Sequence, residues 1–387
     1  MLTNYTIENF KSFRDIVEFD LKANNETNLS EWVSQEGVLR AIGMFGENGA
    51  GKSTSIKAIA VLIELLVEEL DIMGIVPHIL GKIYMDEDGE TRVNIGMKTH
   101  LVYEFLFDHK TVVYSVVFDT DKNIIEAEHV LINDKPIFER HHDEINGKKV
   151  NSVKPDRSHF RVAYHNGSFD EIEDSAVVTA FMDFLANSAY IDNARNQILT
   201  SENDHTLNKF LRDEKNTDRL NSILRRLNNQ FQASLLSEGS IGSEPQVYVT
   251  YKDRFPIPFT FESVGNKATL KLIPWILRII DKPGMLLIDE MDFSLHFETF
   301  KVILELVKSE ATSSQLFFTC HKLDIMHPSV LRADQIYLVR RDEDLVSQVA
   351  KVSSFKPRST QNYQKMYKSG RFGYLPSFIE KVKQYDA

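Results

Sequence analysis

The chain has 387 residues, of which 42% are hydrophobic and 26% charged, close to an average globular protein. Its length suits two compact domains or one domain with a large insertion. A single cysteine, Cys320, excludes a disulfide framework or a cysteine-based zinc site within one chain. The net charge of −11 argues against a surface coated in positive charge for DNA, although a local basic stripe is compatible with it.

Membrane and export signals are missing from the sequence. The most apolar stretch, Ile56 to Val76, is interrupted by acidic residues at positions 64, 68, 69 and 71, whereas a spanning helix needs about 20 mostly uncharged residues. The N-terminus has no basic segment followed by an apolar core. We therefore expect a cytoplasmic protein that makes no membrane contact.

The first part of the chain predicts strands that lead into a glycine-rich turn and a helix. Apolar and polar residues alternate over Tyr5–Phe10 and Asp15–Asp20, which indicates two short strands. Val38–Phe45 is a mostly apolar run, as expected of a strand buried on both faces. A helix is predicted over Lys52–Leu70, and residues 92–139 are predicted to be rich in strands.

Helices dominate the prediction for the middle of the chain. From Asp174 to about Leu236, apolar residues recur at spacings of three and four, which is typical of helices. A later helix, Ala268–Asp281, is expected to bend at Pro274. Alternation of strands and helices at both ends of the chain predicts a mixed α/β core with a largely parallel sheet. The remaining predicted elements are the strands Gln246–Thr250, Phe259–Phe261, Met285–Ile288, Gln315–Thr319 and Gln335–Val339, and the helix Glu298–Ser309.

The strongest motif is a phosphate-binding loop of the pattern G-x-x-x-x-G-K-[ST]. An apolar strand precedes it and an amphipathic helix follows it, as this loop requires. Glycines let backbone N–H groups converge on the phosphates, and the helix N-terminus adds its positive end. We expect the loop to bind ATP, with Lys52 on the β- and γ-phosphates and Ser53 on Mg²⁺. Its residues are Gly46, Glu47, Asn48, Gly49, Ala50, Gly51, Lys52, Ser53 and Thr54.

A second motif is an apolar strand, Met285–Ile288, that ends in the acids Asp289 and Glu290. Such a strand is common and is a weak signal alone, but it becomes a strong one in a chain that also carries the phosphate-binding loop. Asp289 is expected to hold Mg²⁺. Glu290 is expected to polarise the attacking water as a general base.

The long stretch between Lys52 and Asp289 distinguishes the chain from ring-forming AAA+ motors, in which the second motif comes far sooner. A β-rich lobe and a helical section within that stretch resemble ABC-type ATPase heads, including the SMC class. The resemblance implies an α/β fold, an ABC-type P-loop head with a β lobe and a helical insertion. The implied segments are residues 1–80, the N-terminal part of the ATPase core; 81–170, the β-rich lobe; 171–245, the helical insertion; 246–345, the remaining core; and 346–387, a C-terminal tail element.

Further motifs of such heads follow in the order that the resemblance implies. Phe261–Lys267 resembles the signature, in which Ser263 and Gly265 would contact the γ-phosphate of ATP held by another subunit. Met291–His296 stands where these heads place the loop that crosses the dimer interface. His321 follows a buried strand and matches the switch histidine that senses the γ-phosphate. The catalytic set implied for ATP hydrolysis is therefore Lys52, Glu290 and His321.

Segments at both ends of the chain resemble a narrower group within the ABC-type ATPases, the stand-alone bacterial ATPases. Ile7–Phe13 looks like the opening strand of stand-alone bacterial ATPases near the OLD group. The segments Leu331–Leu338, Phe355–Arg358 and Gly370–Pro376 resemble C-terminal blocks of the RloA and AbiL-like ATPases and of the ATPase subunit of the PARIS system. Those proteins are associated with defence against phage and work beside a separately encoded effector. The tail after His321 is expected to be too short for the TOPRIM nuclease domain that OLD proteins append.

Two functions are compatible with these motifs. The first is an ATP-binding and ATP-hydrolysing sensor or scaffold of an antiphage system, assembled as a homodimer or a higher homo-oligomer. Its implied partners are a separately encoded effector, such as a TOPRIM-type nuclease or another toxin, and a phage protein as trigger. The alternative is an SMC-like DNA-repair ATPase acting directly on DNA, which the missing coiled-coil arm and the acidic net charge disfavour.

Weaker features leave alternatives open. The glutamine with which ABC heads sense Mg²⁺ has three equal candidates, Gln197, Gln230 and Gln232. The His-His-Asp run at 141–143 is expected to be a solvated loop rather than a metal cluster, and the acids at 342–344 are expected on the surface. Basic residues of the helical section favour a solvated face over nucleic-acid or partner contact; they are Lys209, Arg219, Arg225 and Arg226.

Overall fold

A computed structural model of the chain describes residues 1–67, 83–85, 91–93, 98–119, 122, 124–149, 154–195, 197–200, 207–227, 231–236, 245–252, 254–293 and 295–374. The strands are β1 (Leu2–Glu8), β2 (Val17–Asp20), β3 (Ala41–Gly46), β4 (Ile83–Met85), β5 (Thr91–Val93), β6 (Lys98–Phe107), β7 (Lys110–Asp119), β8 (Ile124–Ile132), β9 (Lys135–His141), β10 (Glu144–Ile145), β11 (Lys148–Lys149), β12 (Ala189–Asp192), β13 (Gln197–Thr200), β14 (Phe231–Leu236), β15 (Gln246–Tyr251), β16 (Ile257–Pro258), β17 (Met285–Asp289), β18 (Gln315–Cys320), β19 (Ile336–Arg341) and β20 (Ser347–Lys351). The helices are α1 (Lys52–Val67), α2 (His159–His165), α3 (Ser175–Ala186), α4 (Leu207–Phe210), α5 (Glu214–Arg226), α6 (Val264–Asp281), α7 (Phe297–Glu310) and α8 (Tyr363–Lys368).

A seven-stranded sheet forms the centre of the molecule, in the order β13-β12-β17-β18-β3-β19-β20. Every inner pairing is parallel, and only the two edge strands run antiparallel. Strands β17 and β18 are buried along their whole length because helices cover both faces of the sheet. The carboxyl ends of β17, β18 and β3 therefore meet at one edge, where the motifs of the sequence lie.

The sheet separates two apolar layers. Leu287 and Phe317 point toward α1 and the eight-stranded antiparallel sheet beyond it, in the order β11-β10-β9-β8-β7-β6-β1-β2. Leu286, Ile288 and Phe318 point the other way and pack against α6 and α7. This alternation follows the two-residue period of a strand. Helix α1 is thus clamped between two sheets, which fixes the loop at its N-terminus.

A smaller layer lies outside α6. Helix α5 packs on the three-stranded sheet β14-β15-β16, and together they cover Leu270, Ile273 and Leu277 of α6. Pro274 lies inside α6, which begins at Val264, four residues before the predicted start, and ends at Asp281 as predicted. Among the described residues no helix has the length and apolar character needed to cross a membrane.

Two secondary-structure predictions are wrong. The stretch from Asp174 to Leu236 is not helical throughout, because β12, β13 and β14 lie within it. Strand β12 is four buried residues, too short for its apolar period to distinguish a strand from a helix, and it belongs to the central sheet. Phe259–Phe261, predicted as a strand, forms a turn of 3₁₀ helix. The last residues of the helix predicted over Lys52–Leu70 lie outside the described residues.

Candidate functional site

The phosphate-binding loop is an open turn between β3 and α1, braced by two serines. Ser347 on β20 donates its hydroxyl proton to the carbonyl oxygen of Ala50 at 2.6 Å. Its Oγ also lies 2.7 Å from Oγ of Ser12, and its backbone N–H donates to the carbonyl oxygen of Ser12. Gly51 has a φ of +115°, and a Cβ there would overlap Oγ of Ser347. Glycine is therefore required for the loop to pass this close to β20.

Lys52 is folded back onto its own loop. Its ammonium donates to the carbonyl oxygens of Gly46 at 2.9 Å and Glu47 at 2.8 Å, and lies 3.5 Å from Nδ1 of His321. Burial lowers the pKa of Lys52 to about 8. Burial, and then the Lys52 charge, lower the pKa of His321. This shift in pKa favours the neutral imidazole, in which one ring nitrogen donates a hydrogen bond and the other accepts one.

The acid pair at the end of β17 is held by the neighbouring strand. Thr319 on β18 donates its hydroxyl proton to Oδ1 of Asp289 at 2.7 Å and accepts the backbone N–H of Glu290 at 2.7 Å. Asp289 is only 4% exposed. Glu290 has a φ of +52°, a left-handed conformation that costs a non-glycine residue energy. Glu290 lines the cavity over the loop, whereas Asp289 is buried and does not line it.

The turn after β18 is tied to the segment that follows the acid pair. Oδ2 of Asp292 accepts the backbone N–H groups of His321 at 3.0 Å and Lys322 at 2.9 Å. Lys322 donates in turn to the carbonyl oxygen of Leu295. These contacts anchor the backbone at His321 to Asp292 and Leu295. Ser294, between these two residues, lies outside the described residues.

A polar cavity of about 600 Å³ is lined by residues of the loop together with Glu290 and His321, but not by Asp289. This volume falls within the range of small-molecule sites, roughly 300–1,000 Å³. The lining includes one residue that the sequence did not indicate, Arg341 at the end of β19. The lining residues are Asn48, Gly49, Gly51, Lys52, Ser53, Thr54, Glu290, His321 and Arg341.

The predicted signature lies elsewhere on the same chain. Ser263 is the N-cap of α6, with its Oγ accepting the backbone N–H of Asn266 at 3.2 Å. Ser263 is exposed, and neither it nor Gly265 lines the cavity over the loop. One copy of the chain therefore leaves these two residues apart from its own phosphate-binding loop.

Sequence reasoning missed the residues that stand beside the acid pair on β12. The parallel register places Asp192 directly opposite Asp289. Asn193 donates its side-chain amide to the carbonyl oxygen of Glu290 at 3.2 Å. The only signal in the sequence was the end of a short apolar run in a stretch with a helical period.

Neither of the two glutamine candidates that the structure describes lines the cavity over the loop. Gln197 is exposed on β13, Gln232 is exposed on β14, and Gln230 lies outside the described residues. Asp192 and Asn193 occupy the end of the strand next to β17 instead.

The weaker features have ordinary surroundings. Arg219 pairs with Asp281 at 2.6 Å and Arg226 pairs with Glu310 at 3.1 Å, so both link α5 to its neighbours. His141 is exposed and its Nε2 lies 3.0 Å from Nε2 of His129. Within the described ranges, no group of three or more histidine, cysteine or acidic residues is arranged to hold a metal.

The groups that this fold implies, ATP and Mg²⁺, fit the residues present. Gly46, Gly49 and Gly51 all have a positive φ, a backbone conformation that lets the N–H groups of the loop converge on phosphates. Among the described residues, the ammonium of Lys52 has only the carbonyl oxygens of the loop and His321 within hydrogen-bond distance, and phosphate oxygens could replace these partners. Ser53 and Asp289 carry oxygen atoms of the hard type that Mg²⁺ prefers, and these are the two residues that would hold it.

The fold is similar to that of solved SMC heads. An SMC head bound to the C-winged helix domain of ScpA superimposes with a TM-score of 0.50 at 14% identity, covering 90% of this chain and 96% of that one. An SMC head with an extended coiled coil bound to the C-terminal domain of ScpA, from Pyrococcus furiosus, gives 0.50 at 14% identity over 99% of both chains. No curated protein matches the sequence significantly.

The structural likeness confirms the predicted fold, that of an SMC head and hence of an ABC-type P-loop ATPase. A family model described as "AAA domain, putative AbiEii toxin, Type IV TA system" matches residues 42–326. This range contains the loop, the acid pair, the signature region and His321. The chain therefore belongs to this AAA domain family.

Proposed function

We propose that the chain binds and hydrolyses ATP as the nucleotide-operated subunit of a cytoplasmic bacterial antiphage system. The observation that carries the ATPase assignment is one cavity lined together by Lys52, Glu290 and His321. These residues come from three different parts of the chain and meet only because their strands are neighbours in a parallel sheet. Open α/β sheets bind their ligands at the carboxyl ends of the strands, which is where these residues meet.

Each residue has a distinct role in the proposed reaction. The backbone N–H groups of the loop and the Lys52 ammonium bind the phosphates. Ser53 and Asp289 would hold Mg²⁺, which neutralises charge on the β- and γ-phosphates when it is bound. Glu290 orients a water molecule and accepts its proton, and His321 donates a hydrogen bond to the γ-phosphate.

A second copy of the chain completes the proposed site. Ser263 and Gly265 stand exposed at the N-terminus of α6, away from their own loop, where a hydroxyl and helix N–H groups suit a phosphate. In a two-fold symmetric dimer, each signature would face the loop of the partner and enclose two ATP molecules. Binding and hydrolysis would then change how the subunits fit together, which is the proposed output.

The antiphage role rests on the resemblance of the tail segments to the RloA, AbiL-like and PARIS-system ATPases. The matched family description, which names a putative toxin of a Type IV TA system, supports a role in a system with a second protein component, which we propose to be the effector, a nuclease or another toxin. The SMC heads compared above were solved with a ScpA domain bound, so heads of this fold do dock partner domains.

The mass of the complex, measured with and without ATP for the wild type and Glu290→Gln, tests this proposal. Glu290→Gln should retain an ATP-bound dimer that the wild type loses on hydrolysis, and extra mass would reveal the effector. If neither protein binds ATP or changes its assembly, the proposed ATP-dependent dimerisation is wrong. ATPase activity strongly stimulated by DNA alone would favour the SMC-like alternative over the effector.

A further inference from the structure

Lys57 on α1 lies between two carboxylates at the edge of the central sheet. Its ammonium is 3.6 Å from Oδ2 of Asp192 and 3.8 Å from Oδ2 of Asp289. The side chain of Lys57 is 12% exposed and each carboxylate side chain is 5% exposed. The three charges therefore sit together in a largely dry region, where electrostatic interactions are strong.

The two acids are forced together by the fold. Asp192 and Asp289 are direct neighbours in the register of parallel strands β12 and β17. Their Oδ1 atoms are already engaged, with Arg195 N–H donating to Asp192 at 3.0 Å and the Thr319 hydroxyl donating to Asp289 at 2.7 Å. Both Oδ2 atoms face Lys57, so a single cation neutralises the repulsion between the pair.

Other charged groups near the pair do not replace Lys57. Arg195 reaches Oδ2 of Asp192 only at 3.9 Å and is 67% exposed, so solvent screens it. The hydroxyl of Tyr190 lies 3.5 Å from the same oxygen and carries no charge. Lys11 is close enough to Lys57 and Asp289 for their charges to affect its pKa, which burial lowers to about 8, but its ammonium does not come within 4 Å of either carboxylate.

We propose that Lys57 is an internal counterion that holds the Asp192–Asp289 pair when no metal is bound, and that Mg²⁺ must displace it. The proposal rests on the proposed function, since it takes Asp289 as the residue that holds the metal. It adds Asp192 as a second carboxylate at the metal site, beside Asp289, and gives Lys57 the role of positioning the two acids. Lys57 thereby sets how much free Mg²⁺ the protein needs.

A rival arrangement makes the opposite prediction. If Lys57 merely orients carboxylates that stay paired with it after the metal binds, its removal would loosen both acids and weaken metal binding. Under the proposal, removal of Lys57 abolishes a competitor and tightens metal binding. The sign of the change in metal affinity therefore separates the two arrangements.

The experiment measures Mn²⁺ binding to the nucleotide-free protein, by the loss of the free-ion signal in electron paramagnetic resonance. Lys57→Met should lower the Kd for Mn²⁺ by about tenfold, which corresponds to roughly 1.4 kcal/mol of lost competition. Lys57→Arg, which keeps the cation, should leave the Kd within about twofold of wild type. Lys351→Met is the matched control, because Lys351 is a largely buried lysine that pairs with Asp20, and neither residue lines the cavity.

Asp192→Asn keeps the proposal falsifiable if Lys57→Met does not fold. With one carboxylate left, Lys57 and Mn²⁺ compete for Asp289 alone, so the Kd should rise about tenfold. An unchanged or higher Kd in Lys57→Met, or an unchanged Kd in Asp192→Asn, overturns the proposal. ATP binding measured on the same wild-type sample reports separately on the proposed function, because loss of ATP binding does not alter the sign of the Mn²⁺ result.

Discussion

The hydroxyl of Thr319 lies 2.7 Å from Oδ1 of Asp289 and 2.7 Å from the backbone nitrogen of Glu290, so one side chain fixes both acids. It donates to the first and accepts from the second. Thr319 stands two residues before His321 on the neighbouring strand, which links the acid pair to the switch histidine. The same side chain therefore positions the residue proposed to hold the metal, Asp289, and the residue proposed to activate water, Glu290.

Thr319→Val tests whether the Thr319 hydroxyl positions both acids. Valine keeps the shape but leaves a buried carboxylate oxygen without its donor, which should lower the free energy of unfolding by about 1–3 kcal/mol. We expect kcat for ATP hydrolysis to fall at least about tenfold, because Glu290 loses its backbone anchor, while KM changes little. Steady-state kinetics and chemical denaturation measure the two effects. Thr319→Ser is the control and should restore kcat; a Ser variant as slow as Val would contradict the role of the hydroxyl.

The buried ammonium of Lys52 predicts a pH dependence of ATP binding. The pKa of Lys52 is lowered from 10.5 to about 8 by burial, so in the nucleotide-free protein it starts to lose its proton near pH 8. Phosphates favour the charged form, and ATP binding above this pH should therefore take up a proton. The affinity should fall as the pH rises from about 8 toward 10.5. Between these values the unfolded chain binds more protons than the folded one, so the free energy of unfolding should rise with pH.

Calorimetry at pH 9 in two buffers of different ionisation enthalpy measures this proton uptake. Lys52→Arg is the control, because a guanidinium stays charged throughout and should abolish the uptake. Uptake that persists in Lys52→Arg would assign the proton to another group, such as Lys11, whose pKa is also about 8.

The separation of Ser263 from its own loop predicts that two inactive variants can rescue each other. Lys52→Met removes the phosphate-binding cation, and Ser263→Arg blocks the signature. Each alone should lose hydrolysis. In a mixed dimer, one site pairs an intact loop with an intact signature, so an equimolar mixture should recover about a quarter of wild-type activity. A mixture that stays inactive, although native mass measurement finds the mixed dimer, would contradict a composite site.

The sequence predicted the loop, the acid pair and His321 because each is a local pattern at the end of an apolar strand. Parallel pairing of β17, β18 and β3 then places those ends together. Asp192 and Ser347 could not be found in this way. Strand β12 is too short to show a period, and the contact of Ser347 with the loop joins residues that are remote in sequence. Short sequence patterns therefore predict the residues that would carry the chemistry. The residues that hold them in place depend on contacts between segments that are remote in sequence.

Gly51→Ala tests the most restrictive of these long-range contacts. The backbone φ of +115° disfavours any side chain, and the added Cβ would meet Oγ of Ser347. We expect the loss of measurable ATP binding, because the loop must move away from β20 and its N–H groups no longer converge. Thermal denaturation and ATP titration measure stability and binding. The double variant Gly51→Ala/Ser347→Ala removes the overlap but not the strain in φ, so it should regain part of the stability without regaining wild-type affinity. Full recovery of affinity would show that crowding by Ser347, and not the backbone conformation, is what requires glycine at this position.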